Sequence, residues 1–111
     1  MRVISQDGTM DVPYEISSFS MEVGKYDNVE HAVIFCYNYS TSMGTKMAEY
    51  GSKEKAKKAM EMLRIVYENN EFYHHTSNSE HFTEFAKALS EEMFKKATTE
   101  YFQFPAEEEL E

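Results

Sequence analysis

A single change of hydrophobic period, at Gly51, constrains this chain more than any other feature. Before it the apolar residues alternate or run in short blocks; after it they recur at helical spacing. Ala56, Ala59, Met60, Leu63, Val66 and Tyr67 fall at i, i+3, i+4, i+7, i+10 and i+11, which is one stripe of an amphipathic helix. Upstream, Phe19, Met21 and Val23 alternate with Ser18, Ser20 and Glu22, the pattern of a half-buried strand. A strand half followed by a helical half predicts an α+β domain.

The strand half reads as an antiparallel meander of about four to five strands. Arg2–Gln6 and Thr9–Tyr14 flank Asp7-Gly8, a two-residue hairpin signal. Pro13 lacks an N–H, so it belongs on an edge or at a strand end. Glu15–Val23 is the next strand, and Gly24–Asn28 the next turn. Ala32-Val33-Ile34-Phe35-Cys36-Tyr37 is the most apolar run, rich in β-branched and aromatic residues, and predicts the central strand. Thr41–Gly44 should turn the chain back into Thr45–Tyr50.

In the helical half, Ser52 is a natural N-cap and Asn69-Asn70 a plausible stop. Residues 71–79 read as a polar connection. Ser77 and Glu80 form a capping box for a second helix, whose stripe is Phe82, Phe85, Ala86, Leu89, Met93 and Ala97. Both helices are expected on one face of the sheet. Residues 98–104 are β-prone and can return to the sheet as a short last strand, which Pro105 ends. These features define one domain over 1–105. The acidic segment 106–111 is expected to be a mobile tail.

Charge narrows the choice of partners. The net charge is −9, and eleven acidic against three basic residues lie after Tyr67. Binding to nucleic acid rests on a basic footprint, so direct nucleic-acid contact is not expected. A basic protein partner fits better. Carboxylates can stand where phosphates would lie, because both satisfy the same arginines and lysines. The candidate partner-binding residues are Glu68, Glu71, Glu80, Glu84, Glu91, Glu92 and Glu100. Lys87–Glu91, Glu91–Lys95 and Glu92–Lys96 are i,i+4 pairs, so the second helix neutralises much of its own charge. Lys53, Lys55, Lys57 and Lys58 form the one basic cluster and read as a solvated helix face around Glu54.

No catalytic constellation stands out. His74, His75 and His81, close to Glu71 and Glu80, offer ligands of the kind zinc takes, and carry the alternative reading of a metal-dependent enzyme or metal-binding protein. Adjacent histidines seldom share one metal, so no metal or other cofactor is expected. Cys36 is the single cysteine and sits in the most apolar run, which suits a buried, inert thiol. No run is long enough to span a membrane, and nothing at the N-terminus has the pattern of a signal peptide. A reducing, cytoplasmic setting is expected. Met43 and Met62 are the methionines expected to be exposed.

The opening Met1-Arg2-Val3-Ile4-Ser5-Gln6-Asp7-Gly8 with Asp11-Val12-Pro13-Tyr14-Glu15 resembles a group of uncharacterised small proteins of Firmicutes phages and integrated mobile elements. The segment from Ser52-Lys53-Glu54-Lys55-Ala56 to Leu63 and Tyr67 is similar to their middle part. Tyr101-Phe102-Gln103-Phe104-Pro105, followed by glutamates, is similar to their end. The resemblance covers about a third of the chain and carries no catalytic residue. It implies an accessory protein made inside a bacterial host. Together with the charge, it leads to the expectation of a non-catalytic protein-interaction module, in its sharper form an acidic, anti-CRISPR-like inhibitor of a host defence nuclease. A structural or regulatory homodimer formed through an open sheet edge is the remaining alternative.

Overall fold

The computed structural model describes residues 1–38, 41–76 and 101–110. The protein is α+β. Its described elements are β1 (Arg2–Ile4), β2 (Asp11–Pro13), β3 (Ser18–Tyr26), β4 (Val29–Asn38), β5 (Thr41–Tyr50), helix α1 (Lys53–Thr76) and β6 (Tyr101–Gln103). Short 3-10 turns lie at Tyr14–Ile16 and Glu107–Leu110. The second helix expected from Phe82 to Ala97 lies outside the described residues.

The strands form two sheets where one meander was expected. The larger is β3–β4–β5, all antiparallel, with β4 in the centre as its apolar run predicted. The smaller has the order β2–β1–β6, with β2 antiparallel and β6 parallel to β1. The short last strand is therefore real, and it pairs with the first one. Pro13 lies on the edge strand β2, where its missing N–H costs nothing.

The tight hairpin turn is not where the glycine signal placed it. β1 and β2 pair from Arg2↔Pro13 to Ile4↔Asp11, which leaves residues 5–10 as a loop. Gly8 has φ of 78°, but Asp7 does not share the left-handed region, so no type I′ turn forms there. Asp7 instead organises the loop through its side chain. Its Oδ1 accepts from Ser5 Oγ at 2.7 Å, Thr9 N at 3.0 Å and Thr9 Oγ1 at 2.7 Å. The type I′ turn is at Asp27-Asn28, with φ of 52° and 63°. Asp and Asn tolerate that region because their short polar side chains bond locally. β3 accordingly runs on to Tyr26, through the residues expected to turn. β5 likewise starts at Thr41, so Thr41–Gly44 are strand and not turn.

The core lies between the inner face of the larger sheet and α1. Ala32, Ile34, Cys36, Ala48 and Tyr50 meet Ala56, Ala59 and Leu63 there, all buried. The smaller sheet adds one row, Val3, Val12 and Phe102, mutually paired in register. Each such buried side chain is worth about 1.5–3 kcal/mol. An aromatic chain ties the parts together. Tyr67 stacks on Tyr14 at 4.0 Å, Tyr14 on Phe19 at 5.9 Å, and Phe19 meets Phe104 at 6.3 Å.

Ser52 caps α1 as its sequence position predicts, its Oγ accepting from the Lys55 N–H at 3.2 Å. The stop expected at Asn69-Asn70 is corrected: the helix continues to Thr76. Asn70 falls on the buried stripe, seven residues after Leu63, and is itself buried. The segment expected to be a mobile tail packs onto the body. Leu110 is buried, and Glu107 Oε1 accepts from the Gly51 N–H at 2.7 Å and lies 3.5 Å from Lys55 Nζ. A carboxylate at that spot also suits the positive end of the α1 dipole.

Candidate interaction surface

The outer face of the larger sheet turns away from α1. On β4 it carries Val29, His31, Val33, Phe35 and Tyr37, because side chains one residue apart take opposite faces. Its neighbours are Glu22, Gly24 and Tyr26 on β3 and Lys46 and Glu49 on β5. Phe35 and Tyr37 contact each other at 6.5 Å between ring centres. A shallow trough of about 430 Å³ runs between Tyr26, His31, Val33, Phe35 and Glu49.

One end of this face projects as a two-stranded arm. β5 stops opposite Ala32, whereas β3 and β4 stay paired out to Tyr26↔Val29. Without β5 beside it or α1 beneath it, the arm exposes its apolar side chains. Tyr26 is 74% exposed, Val29 54% and Val23 44%. Val23 was expected half-buried on the inner face; it lies on that face, opposite Ala32, yet is exposed because β3 outruns the core. Asp27 and Glu30 on the arm outnumber Lys25, and Glu22 lies on the outer face at its base, so its charge is net acidic. At the base, Glu49 joins His31 Nδ1 at 3.3 Å and Lys46 Nζ at 2.9 Å. The Lys46 ammonium, and secondarily His31, holds the Glu49 carboxyl below the usual range.

A second concavity, of about 610 Å³, lies between the 3-10 turn at Tyr14–Ile16 and α1. Phe19, Met60, Leu63 and the stacked Tyr14 and Tyr67 form its apolar part, with Lys57 and Arg64 facing Glu15 and Glu61 on the rim. Glu15 is bonded to the N-terminal ammonium, which holds its carboxyl below the usual range. Partial burial, then the Glu71 and Glu15 carboxylates, pushes the Tyr67 hydroxyl upward. Both charge signs line this groove, so it offers no one-sided field to an ion.

The acidic residues singled out from the sequence divide in two. Glu68 is exposed and Glu71 half-buried, both on α1. Glu80, Glu84, Glu91, Glu92 and Glu100 lie outside the described residues, as does His81. His74 and His75 fall in the last turns of α1, not in a loop. Along α1, Glu61 and Glu68 each stand four residues from a cation, Lys57 and Arg64. The described part of the helix therefore presents mixed charge. Among the described residues no group of three or more His, Cys, Asp or Glu side chains converges to hold a metal.

Cys36 is buried on the inner face, with Asn38 Nδ2 3.9 Å from its Sγ. His31 shares its strand but lies on the opposite face, so the two cannot act as thiol and base. Met43 and Met62 are exposed, as expected. No helix among the described residues is long and apolar enough to cross a membrane.

Sequence reasoning missed Tyr26 and Val29. The signal was present: both flank Asp27-Asn28, two residues that tolerate positive φ. Comparison with known proteins finds no match among family models, curated proteins or solved structures.

Proposed function

We propose that this protein is a non-catalytic protein-interaction module that presents the β3–β4 arm and the outer sheet face to a basic partner in its bacterial host. The arm carries the reading. An aromatic and a valine, Tyr26 and Val29, held out in water on one face of a defined hairpin are costly to leave uncovered, and a partner that covers them gains their burial. Tyr26 is an efficient contact residue because its ring is large and its hydroxyl can stay wet.

The acidity of the arm and the net charge of −9 favour a partner rich in Arg and Lys. Together with the resemblance to phage and mobile-element proteins, they support the narrower reading of an inhibitor that occupies the nucleic-acid groove of a host defence nuclease. In that reading the carboxylates Glu22, Asp27 and Glu30 take the place of phosphates.

Capture from a bacterial lysate on the immobilised protein tests this. The wild-type chain should retain a basic protein, and retention should weaken as salt rises from about 0.05 to 0.5 M. The double variant Tyr26→Ser, Val29→Ser should fold normally and lose that protein. Retention unchanged in the double variant would remove the arm from the interface. Retention indifferent to salt would remove the electrostatic, nuclease-directed form.

A further inference from the structure

The β3 edge of the larger sheet is long, regular and, among the described residues, unpaired. It spans nine residues, and its pairing with β4 runs from Ser18↔Tyr37 to Tyr26↔Val29 without a register shift. Tyr26 and Val29 flank a two-residue type I′ turn, so they exchange both ladder hydrogen bonds. Alternation along an antiparallel pair then points the N–H and C=O of Lys25, Val23, Met21 and Phe19 away from β4. No described strand pairs with β3 on that side.

The sequence of this edge is complementary to itself. If two copies keep their apolar faces on the same side of one continuous sheet, odd positions must meet odd positions. Centring the two-fold axis on Met21 sets Met21 against Met21, Phe19 against Val23 and Ser20 against Glu22. It also brings Lys25 to Ser17, whose backbone is still extended, at the groove rim that carries Glu15. Centring on Ser20 pairs only residues 18–22 of β3 and so shortens the ladder, while registers shifted toward the turn fail. Centring on Glu22 opposes two carboxylates, and centring on Val23 opposes Met21 with Lys25.

We infer that the protein forms a two-fold dimer through antiparallel pairing of β3 with β3 of a second copy, centred on Met21. The resulting six-stranded sheet covers Val23, and it leaves Tyr26 and Val29 of both arms free on the outer face. This goes beyond the interaction reading and does not depend on it, because its test needs only the purified protein.

Light scattering from about 10 µM to 1 mM should show the mass passing from one chain to two. Val23→Lys, at an already exposed position, should raise the dissociation constant about tenfold or more, by setting a cation against Phe19. Ser20→Lys should lower it, since each new cation meets Glu22 of the other copy, a gain that misfolding cannot imitate. Under oxidation, Met21→Cys should give a covalent dimer while Glu22→Cys should not, because only position 21 meets itself; buried Cys36 makes the wild-type chain the blank. A single-chain mass at every concentration would overturn the dimer. Cross-linking through Glu22→Cys but not Met21→Cys would overturn the register.

Discussion

The larger sheet has two edges, and they are treated in opposite ways. β5 is irregular and occupied. Its pairing with β4 shifts register between Ile34 and Phe35 and again between Cys36 and Asn38. Gln6, in the loop after β1, lies along it. The Gln6 N–H donates to Met47 O at 2.7 Å, and its Oε1 accepts from the Glu49 N–H at 3.1 Å. β3 has no such shift and, among the described residues, no such occupant. Bulges and covering loops are the ordinary means by which a sheet edge is kept from pairing with another chain. Among the described residues they occur on one side only, and β3 is the edge without them.

Two glycines give the sharpest test of that contrast. Gly44, on β5, has φ of 80°, and a Cβ there would fall 2.7 Å from Tyr37 Cε1. Gly44→Ala should destabilise the protein by about 1–3 kcal/mol, from backbone strain and from pushing the Tyr37 ring off the strand. Urea unfolding measures this. A change below about 0.5 kcal/mol would mean that the β5 irregularity is soft and seals nothing.

The next effect concerns the cover itself. Gln6→Ala removes the bond to Glu49 and also the donation from Gln6 Nε2 to Pro105 O at 3.2 Å. The expected loss is about 1–2 kcal/mol, together with faster exchange of the Glu49 amide. An unchanged amide would show that the loop backbone protects β5 without the side chain.

How much of this was legible beforehand differs between the two edges. The central strand, the edge position of Pro13 and the Ser52 cap rest on local rules, and each was readable from a few neighbouring residues. The cover on β5 was not. Gln6 meets Glu49 across a long stretch of chain, and Glu107 meets Gly51 across a longer one. No periodicity encodes either contact. The arm was missed for another reason: Gly24 looks like the start of a turn, so Gly24–Asn28 reads as a turn although only Asp27 and Asn28 turn. Asp7-Gly8 has a strong turn signature too, but Ser5 and Thr9 give the Asp7 side chain a competing set of bonds. Asn70 was misread because a polar residue on a buried stripe looks like a stop. Of the acidic residues, charge gave only the expectation of a basic partner and not which carboxylates share a surface, since that depends on tertiary packing.

A smaller change is expected at the other glycine. Gly24, on β3, has nothing within 4 Å of the place a Cβ would occupy. Gly24→Ala should be neutral or stabilise by about 0.5 kcal/mol, by restricting the unfolded chain. A loss comparable to that at Gly44 would mean the β3 edge is under constraint, and the contrast between the edges would collapse.

The smallest effect is a pH dependence confined to one edge. Hydrogen bonds from the Ser5 and Thr9 side chains, then from the Thr9 backbone, hold the Asp7 carboxyl at about 2 against an ordinary 3.8. A carboxyl depressed in the folded state contributes stability that is complete above its unfolded value and is lost as pH falls through its folded value. The loop that carries Gln6 should therefore hold its shape above about pH 4 and loosen towards pH 2. Amide exchange of Glu49 should accelerate over that window, after correction for the intrinsic rate, because Gln6 is the residue that covers it. Asp7→Asn should remove this step. The arm offers the internal comparison: its turn rests on backbone conformation at Asp27-Asn28, and among the described residues no such carboxylate bonds hold it, so amides at the tip should show no corresponding step. A matching step at Tyr26 would mean that acid loosens the sheet as a whole, and that Asp7 does not act on the β5 edge alone.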